Sequence, residues 1–185
     1  MAIRMKYRML CIPVLHIDTN LINARQKLAP VNQLERWAED EVILINMSST
    51  AQSEAQAGNN EQRVRKANQQ IFTTTPAIGT NDPLFRKVEA VLFPVGAKNE
   101  NQRNDVRIVC EAANYDAILV TGDGASKTQR GGILGNRDKL RELVEIMSPE
   151  EAVAYVREKI LERDDFNRRV ANEFGGELPS WAGKD

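Results

Sequence analysis

The chain has 185 residues, 42% of them hydrophobic, with 25 Lys and Arg against 26 Asp and Glu for a net charge of −1. That length suits one domain whose core needs no disulfide or metal staple, and the near-neutral balance excludes nucleic-acid binding through overall positive charge. No segment has the apolar length to span a bilayer; Cys11 and Cys110 show no CxxC or Cys/His spacing and read as buried small hydrophobes in a reducing compartment, so a cytoplasmic protein is expected.

Met1 to Arg8 is basic and reads as a tail. Met9 to Ile17 is a near-continuous apolar run, which suits a strand covered on both faces. Pro13 and the polar exit at His16-Ile17-Asp18 distinguish it from a secretory signal. Leu21 to Leu28 reads as a short helix. Val31 to Glu41 is another, with Val31, Leu34, Trp37 and Ala38 at helical spacing and Pro30 where helices start. Val42 to Met47 is a second buried strand. Ser48-Ser49-Thr50 offers cap hydroxyls to a polar helix running towards Ile71, with Gly58-Asn59-Asn60 interrupting it.

Thr73 to Pro83 is rich in breakers and predicts a loop. Leu84 to Leu92 predicts a helix with Phe85, Val88, Val91 and Leu92 on one face. Asn104 is placed to cap a helix from Asp105 to Asn114. Ala117 to Thr121 is the third strand, followed by a glycine-rich loop and a helix near Asn136 to Leu143. Val144 to Met147 is a fourth strand, and Ser148-Pro149-Glu150-Glu151 is a strong helix-start signal. The segment 172–185 reads as a mobile tail with Trp181 its one large apolar group. Strands alternating with helices predict a three-layer α/β/α sandwich around a mainly parallel sheet, its first strand central, in one domain over 9–171.

In such sheets the active residues gather beyond the carboxyl ends of the strands. Two strands end in acids there, Asp18 in Asp-Thr-Asn and Asp123 in Thr-Gly-Asp-Gly. Asp105 opens the helix leading into the third strand, and Glu54 lies early in the helix after the second. Each has a plainer reading: Asp123 as a turn residue, Asp105 as a partner of a helix dipole, Glu54 as a solvated side chain. Asp18 is harder to dismiss, because an apolar strand delivers it to the sheet edge. Four carboxylates together repel unless a cation neutralises them, and oxygen-only donors suit Mg²⁺ or Mn²⁺.

His16-Ile17-Asp18-Thr19-Asn20-Leu21-Ile22 resembles the opening motif of PIN domains. The stretch from Asn104 to Ala113, with Asp116-Ala117-Ile118-Leu119-Val120-Thr121-Gly122-Asp123, is similar to the family's second signature. Val144 to Glu151 is similar to its closing strand and helix. The resemblance spans roughly residues 10 to 155. It implies a Rossmann-like sandwich, divalent metal and ribonuclease activity, with Asp18, Glu54, Asp105 and Asp123 as metal ligands and Asn20 orienting the first of them. Ala125 stands where some relatives carry a further acid, and the segment between Glu54 and Asp105 is long.

Arg103, Arg107, Lys127 and Arg130 flank these acids and are candidates for phosphate contact, or else solvated surface. RNA is expected ahead of DNA as partner; self-association and a protein regulator are compatible with the resemblance. His16 reads as a packed, hydrogen-bonded histidine, since one histidine builds no Ser/His/Asp or Cys/His set. Gly131-Gly132-Ile133-Leu134-Gly135 lacks the spacing of a nucleotide fingerprint. A haloacid-dehalogenase-like phosphatase also starts with aspartate after its first strand, but Asn20 stands here where its second aspartate belongs. The third reading is a PIN-like module that only binds RNA or protein.

Overall fold

A computed structural model describes residues 8–22, 27–57, 61, 64–65, 68, 78–124 and 131–185. Among them the strands β1 (Leu15–Ile17), β2 (Ile45–Asn46), β3 (Ile118–Val120) and β4 (Glu145–Met147) form one sheet in the order β2-β1-β3-β4. All three pairings are parallel, with Leu15 opposite both Ile45 and Ile118, and Val120 opposite Met147. β1 is thus central, as its unbroken burial predicts. The chain crosses the sheet one way from β1 to β2 and the other way from β2 to β3. Right-handed crossovers therefore place the intervening helices on opposite faces.

One face carries α1 (Ala29–Glu39) and α7 (Pro149–Phe174), which pack against each other. The other carries α2 (Ser49–Gln56), α3 (Pro83–Leu92) and α4 (Glu100–Asn114), with α5 (Gly132–Gly135) and α6 (Arg137–Leu140) between β3 and β4. The core forms where Val31, Leu34 and Trp37 of α1 and Ala152, Val156 and Ile160 of α7 meet the sheet, and where Phe85, Val88, Val106 and Val109 cover its other side. Ser148 and Glu151 close a reciprocal capping box at the start of α7, as the sequence predicts. No helix of the described residues is long and apolar enough to cross a membrane.

Several boundaries differ from the sequence reading. The first strand begins at Leu15 rather than Met9, because Pro13 removes a ladder donor just before it. Cys11 is consequently exposed, not buried, whereas Cys110 is buried on α4. After β1 the chain makes a 3₁₀ turn, Thr19–Leu21, where a helix from Leu21 is expected; residues 23–26 of that helix lie outside the described residues, as do residues 73–77 of the expected loop. The helix expected from Asn136 to Leu143 is two short turns meeting at Asn136.

The segment 172–185 is not a free tail. α7 continues to Phe174 and stops where Gly175 takes the left-handed conformation, φ +68. The chain then folds back. The Trp181 ring lies 4.4 Å from the Arg163 guanidinium carbon, the Gly183 amide donates to Asp164 at 2.7 Å, and the Asp185 side chain is fully buried between Arg8 and Arg163.

Candidate active site

β1 and β3 run parallel and end level, so the residues that follow them meet. The Asp18 amide continues the ladder to Val120 O at 3.0 Å, and the Thr121 amide does so to Met147 O at 3.1 Å. Asp18 is 6% exposed and Thr121 is fully buried. The Thr121 hydroxyl donates to Asp18 Oδ2 at 2.6 Å and accepts the Asp123 amide at 3.0 Å. Asn20 completes the knot. Its Nδ2 donates to Asp18 Oδ2 at 2.8 Å, and its Oδ1 accepts the Gly122 amide at 3.2 Å. The residue singled out for orienting Asp18 is thus bonded to it and also ties down the loop carrying Asp123.

Glu54 comes from α2, whose start is fixed by the Ser48 side chain accepting the Ala51 amide. The Thr19 hydroxyl lies 3.0 Å from Glu54 Oε2, and Asn104 Nδ2 donates to Glu54 Oε1 at 2.9 Å. Asn104 can do this because it is not a cap. α4 starts at Glu100 under Asn99, whose extended backbone and side-chain bond to the Gln102 amide do the capping. Asp105 therefore sits inside α4 rather than in its first turn, and a helix-dipole role for it falls away.

Asp123 is seated by the glycine-rich stretch. The Ile133 amide donates to Asp123 Oδ2 at 2.9 Å, and the Leu134 amide to its carbonyl oxygen at 3.0 Å. Gly132, at φ +57, approaches so closely that a Cβ there would stand 2.5 Å from that carbonyl oxygen and 2.8 Å from Asp123 Cγ. A segment without phosphate-loop spacing thus holds a carboxylate with its backbone.

The four acids share one field. Burial first, then the charges of Asp123, Asp18 and Glu54, push Asp105 up to about 7. Burial likewise raises Asp18 to about 6, with Glu54 and Asp123 adding to it, against hydrogen bonds from Thr121 and Asn20 that lower it. Among the described residues none of the four pairs with a lysine or arginine, and Asp105 has no hydrogen-bond partner at all. A donor set of oxygens alone, held by neutral amides and hydroxyls, suits a hard divalent cation chemically. Geometrically the set stays open: among the described residues no three such side chains are close enough to enclose an ion as placed.

Arg103 and Arg107, expected near substrate phosphate, both bond Glu100, and Arg107 also bonds Asn104. Lys127 and Arg130 lie outside the described residues. His16 is packed, but the expected hydrogen bond is missing. Both ring nitrogens are buried without a partner among the described residues, its ring lies 5.4 Å from that of Tyr115, and burial lowers it to about 4. His16 is the middle residue of the central strand, in register with Asn46 on one side and Leu119 on the other.

Sequence reasoning passes over Thr19, Asn104, Thr121 and Gly132, which hold the acids in place. Thr121 carries a signal, a hydroxyl between an apolar strand and an aspartate. Gly132 carries none locally, because its contact with Asp123 spans nine positions.

No family model matches the chain, and no curated protein matches it. A solved structure described as FitAB bound to an IR36 DNA fragment resembles it at a TM-score of 0.45 with 16% identity, over 74% of this chain and 94% of that one.

Proposed function

We propose that the chain is a divalent-metal-dependent nuclease of the PIN type, a ribonuclease ahead of a deoxyribonuclease, that hydrolyses phosphodiester bonds with water as nucleophile. The observation that carries this reading is Asp105: a half-buried carboxylate with no partner among the described residues, raised to about 7 within the field of three other acids. An arrangement that repels itself and meets no cation among the described residues is suited to a cation from outside.

Asp18, Glu54, Asp105 and Asp123 would hold Mg²⁺ or Mn²⁺, which when bound lowers the pKa of water and offsets phosphate charge. The residues around them do the positioning. Asn20 and Thr121 fix the Asp18 carboxylate, Thr19 and Asn104 aim that of Glu54, and the Ile133 amide holds that of Asp123. Neither Cys110 nor His16 competes as a nucleophile at the site. Burial pushes the Cys110 thiol up to about 12, so it is not a thiolate, and His16 is shut inside the sheet.

The test is cleavage of defined RNA and single-stranded DNA by wild type and Asp123→Asn protein, each in Mn²⁺ and in chelator. Cleavage by wild type in Mn²⁺ alone supports the reading. Equal cleavage in all four conditions marks a contaminant, and no cleavage of any substrate favours a module that binds without catalysis.

A further inference from the structure

A cleft of ≈ 760 Å³ opens between the α3–α4 connection and the α5–α6 turn. Its position follows from two helical repeats. Gln102 on its wall precedes Asp105 by three residues on α4, hence one turn along the same face. Gly135 on the opposite wall follows Gly132, the residue packed on Asp123, by three. The cleft and the acid cluster are thus adjoining stretches of one surface.

Their charges are opposite. Among the described residues no aspartate or glutamate lines the cleft, although the chain has 26 of them. Lys98 and Lys139 stand on its two sides, and neither pairs with a carboxylate among the described residues. Lys139 Nζ lies 3.1 Å from Asn136 Oδ1. Between the lysines one wall is apolar, with Phe93 beneath the surface and Val95 82% exposed, and Asn99, Gln102 and Asn136 add amide groups to the lining. An apolar wall flanked by two cations matches an occupant with a flat apolar body and anionic groups on both sides. A nucleotide within a strand is such a body, its base facing the wall and its phosphates the lysines. The volume lies in the range of pockets that hold one small-molecule ligand.

We propose that this cleft seats a nucleotide of a single-stranded polynucleotide, so that a neighbouring phosphate lies over Asp18, Asp105 and Asp123. The inference rests on the nuclease reading for what happens to that phosphate, but the seat itself is a binding site and is testable without cleavage. Lys98 and Lys139 supply phosphate contacts and Val95 supplies apolar contact.

The experiment is fluorescence anisotropy of labelled single-stranded RNA, single-stranded DNA and duplex, in chelator and across a salt series. Wild type is compared with Lys98→Gln/Lys139→Gln and with Val95→Asp, after circular dichroism confirms that each variant is folded. Wild type is expected to prefer single strands. The double variant should bind about tenfold more weakly, with the slope of log affinity against log salt reduced by about 1.4, or ~0.7 for each phosphate that a lysine no longer neutralises. Val95→Asp should weaken binding as well. Under Mn²⁺ the double variant should raise KM severalfold and leave kcat within about twofold. Affinity and slope unchanged in the double variant, equal binding of duplex, or no binding by wild type overturns the proposal. Lysine-dependent binding without cleavage keeps the seat and removes the nuclease reading. Cleavage with a KM indifferent to both lysines does the reverse.

Discussion

The Thr121 hydroxyl donates a hydrogen bond to Asp18 Oδ2 at 2.6 Å, although the two residues stand 103 positions apart and follow different strands. The hydroxyl oxygen of Thr121 also accepts the Asp123 amide, so one fully buried group spaces both strand-end acids. Thr121→Val keeps the shape and removes donor and acceptor. Urea unfolding should show a loss of about 1–3 kcal/mol, the usual cost of leaving buried polar partners unsatisfied. Thr121→Ser should recover most of it. Equal stability of Val and Ser variants would mean that the hydroxyl is not what places Asp18.

Gly132→Ala tests the seat of Asp123. A Cβ at 2.5 Å from backbone and 2.8 Å from the carboxyl carbon forces Asp123 to move, and φ +57 adds strain of ~1–3 kcal/mol. Nuclease activity should fall by more than the stability loss explains, since the displaced group is a proposed ligand. Gly79→Ala meets nothing within 4 Å and should leave stability nearly unchanged. A Gly132→Ala protein with full activity would show that Asp123 need not sit where Ile133 holds it.

The metal-free protein should show two opposing pH dependences. Asp18 and Asp105 rise on folding from 3.8 to about 6 and about 7, so the folded state holds protons that the unfolded state has released. Stability therefore falls as pH rises from about 4 to 7, by a few kcal/mol in all. His16 does the opposite: lowered from 6.5 to about 4, it contributes stability above 6.5 that is lost as pH falls towards 4. Two carboxylates outweigh one histidine, so wild type should still lose stability as pH rises, more gently than the acids alone would dictate. Asp18→Asn/Asp105→Asn removes the carboxylate half, and its melting temperature should climb steadily from pH 4 to 6.5. A flat profile in that variant would remove His16 from the account.

Added Mn²⁺ should raise the melting temperature of wild type at pH 7 and not that of Asp18→Asn. At a hundredfold excess over its Kd, a ligand specific for the folded state contributes about 2.7 kcal/mol. In the absence of metal, Asp105→Asn should be more stable than wild type at pH 7, because the substitution relieves repulsion and breaks no bond among the described residues. Lower metal-free stability for Asp105→Asn would show an unrecognised favourable contact.

The site was legible where burial and charge change abruptly along the chain. Leu15-His16-Ile17 followed by Asp18, and Ile118-Leu119-Val120 followed by Thr121 and Asp123, each announce a buried strand with polar residues at its exit. The helix that carries Asp105 was legible too, but not its start. Asn99 and Asn104 are both competent caps, and only the packing of α4 against α3 and α2 selects the first. Similarly, nothing near Trp181 or Asp185 in sequence indicates that Arg163 and Arg8 hold them. Contacts between distant positions leave no local period or spacing to read.

The strand order also has a kinetic side. β1 joins β2 across about 30 positions and β3 across 103, so pairing with β3 closes much the longer loop. Long-range parallel pairing is slow to form. Until it forms, Asp18 and Asp123 are on separate parts of the chain and do not repel. The electrostatic penalty of the carboxylate cluster is therefore met late, as β3 docks, and should burden the folded state more than the route to it. In a chevron experiment without metal, neutralising Asp123 should slow unfolding and leave the folding limb almost where it was.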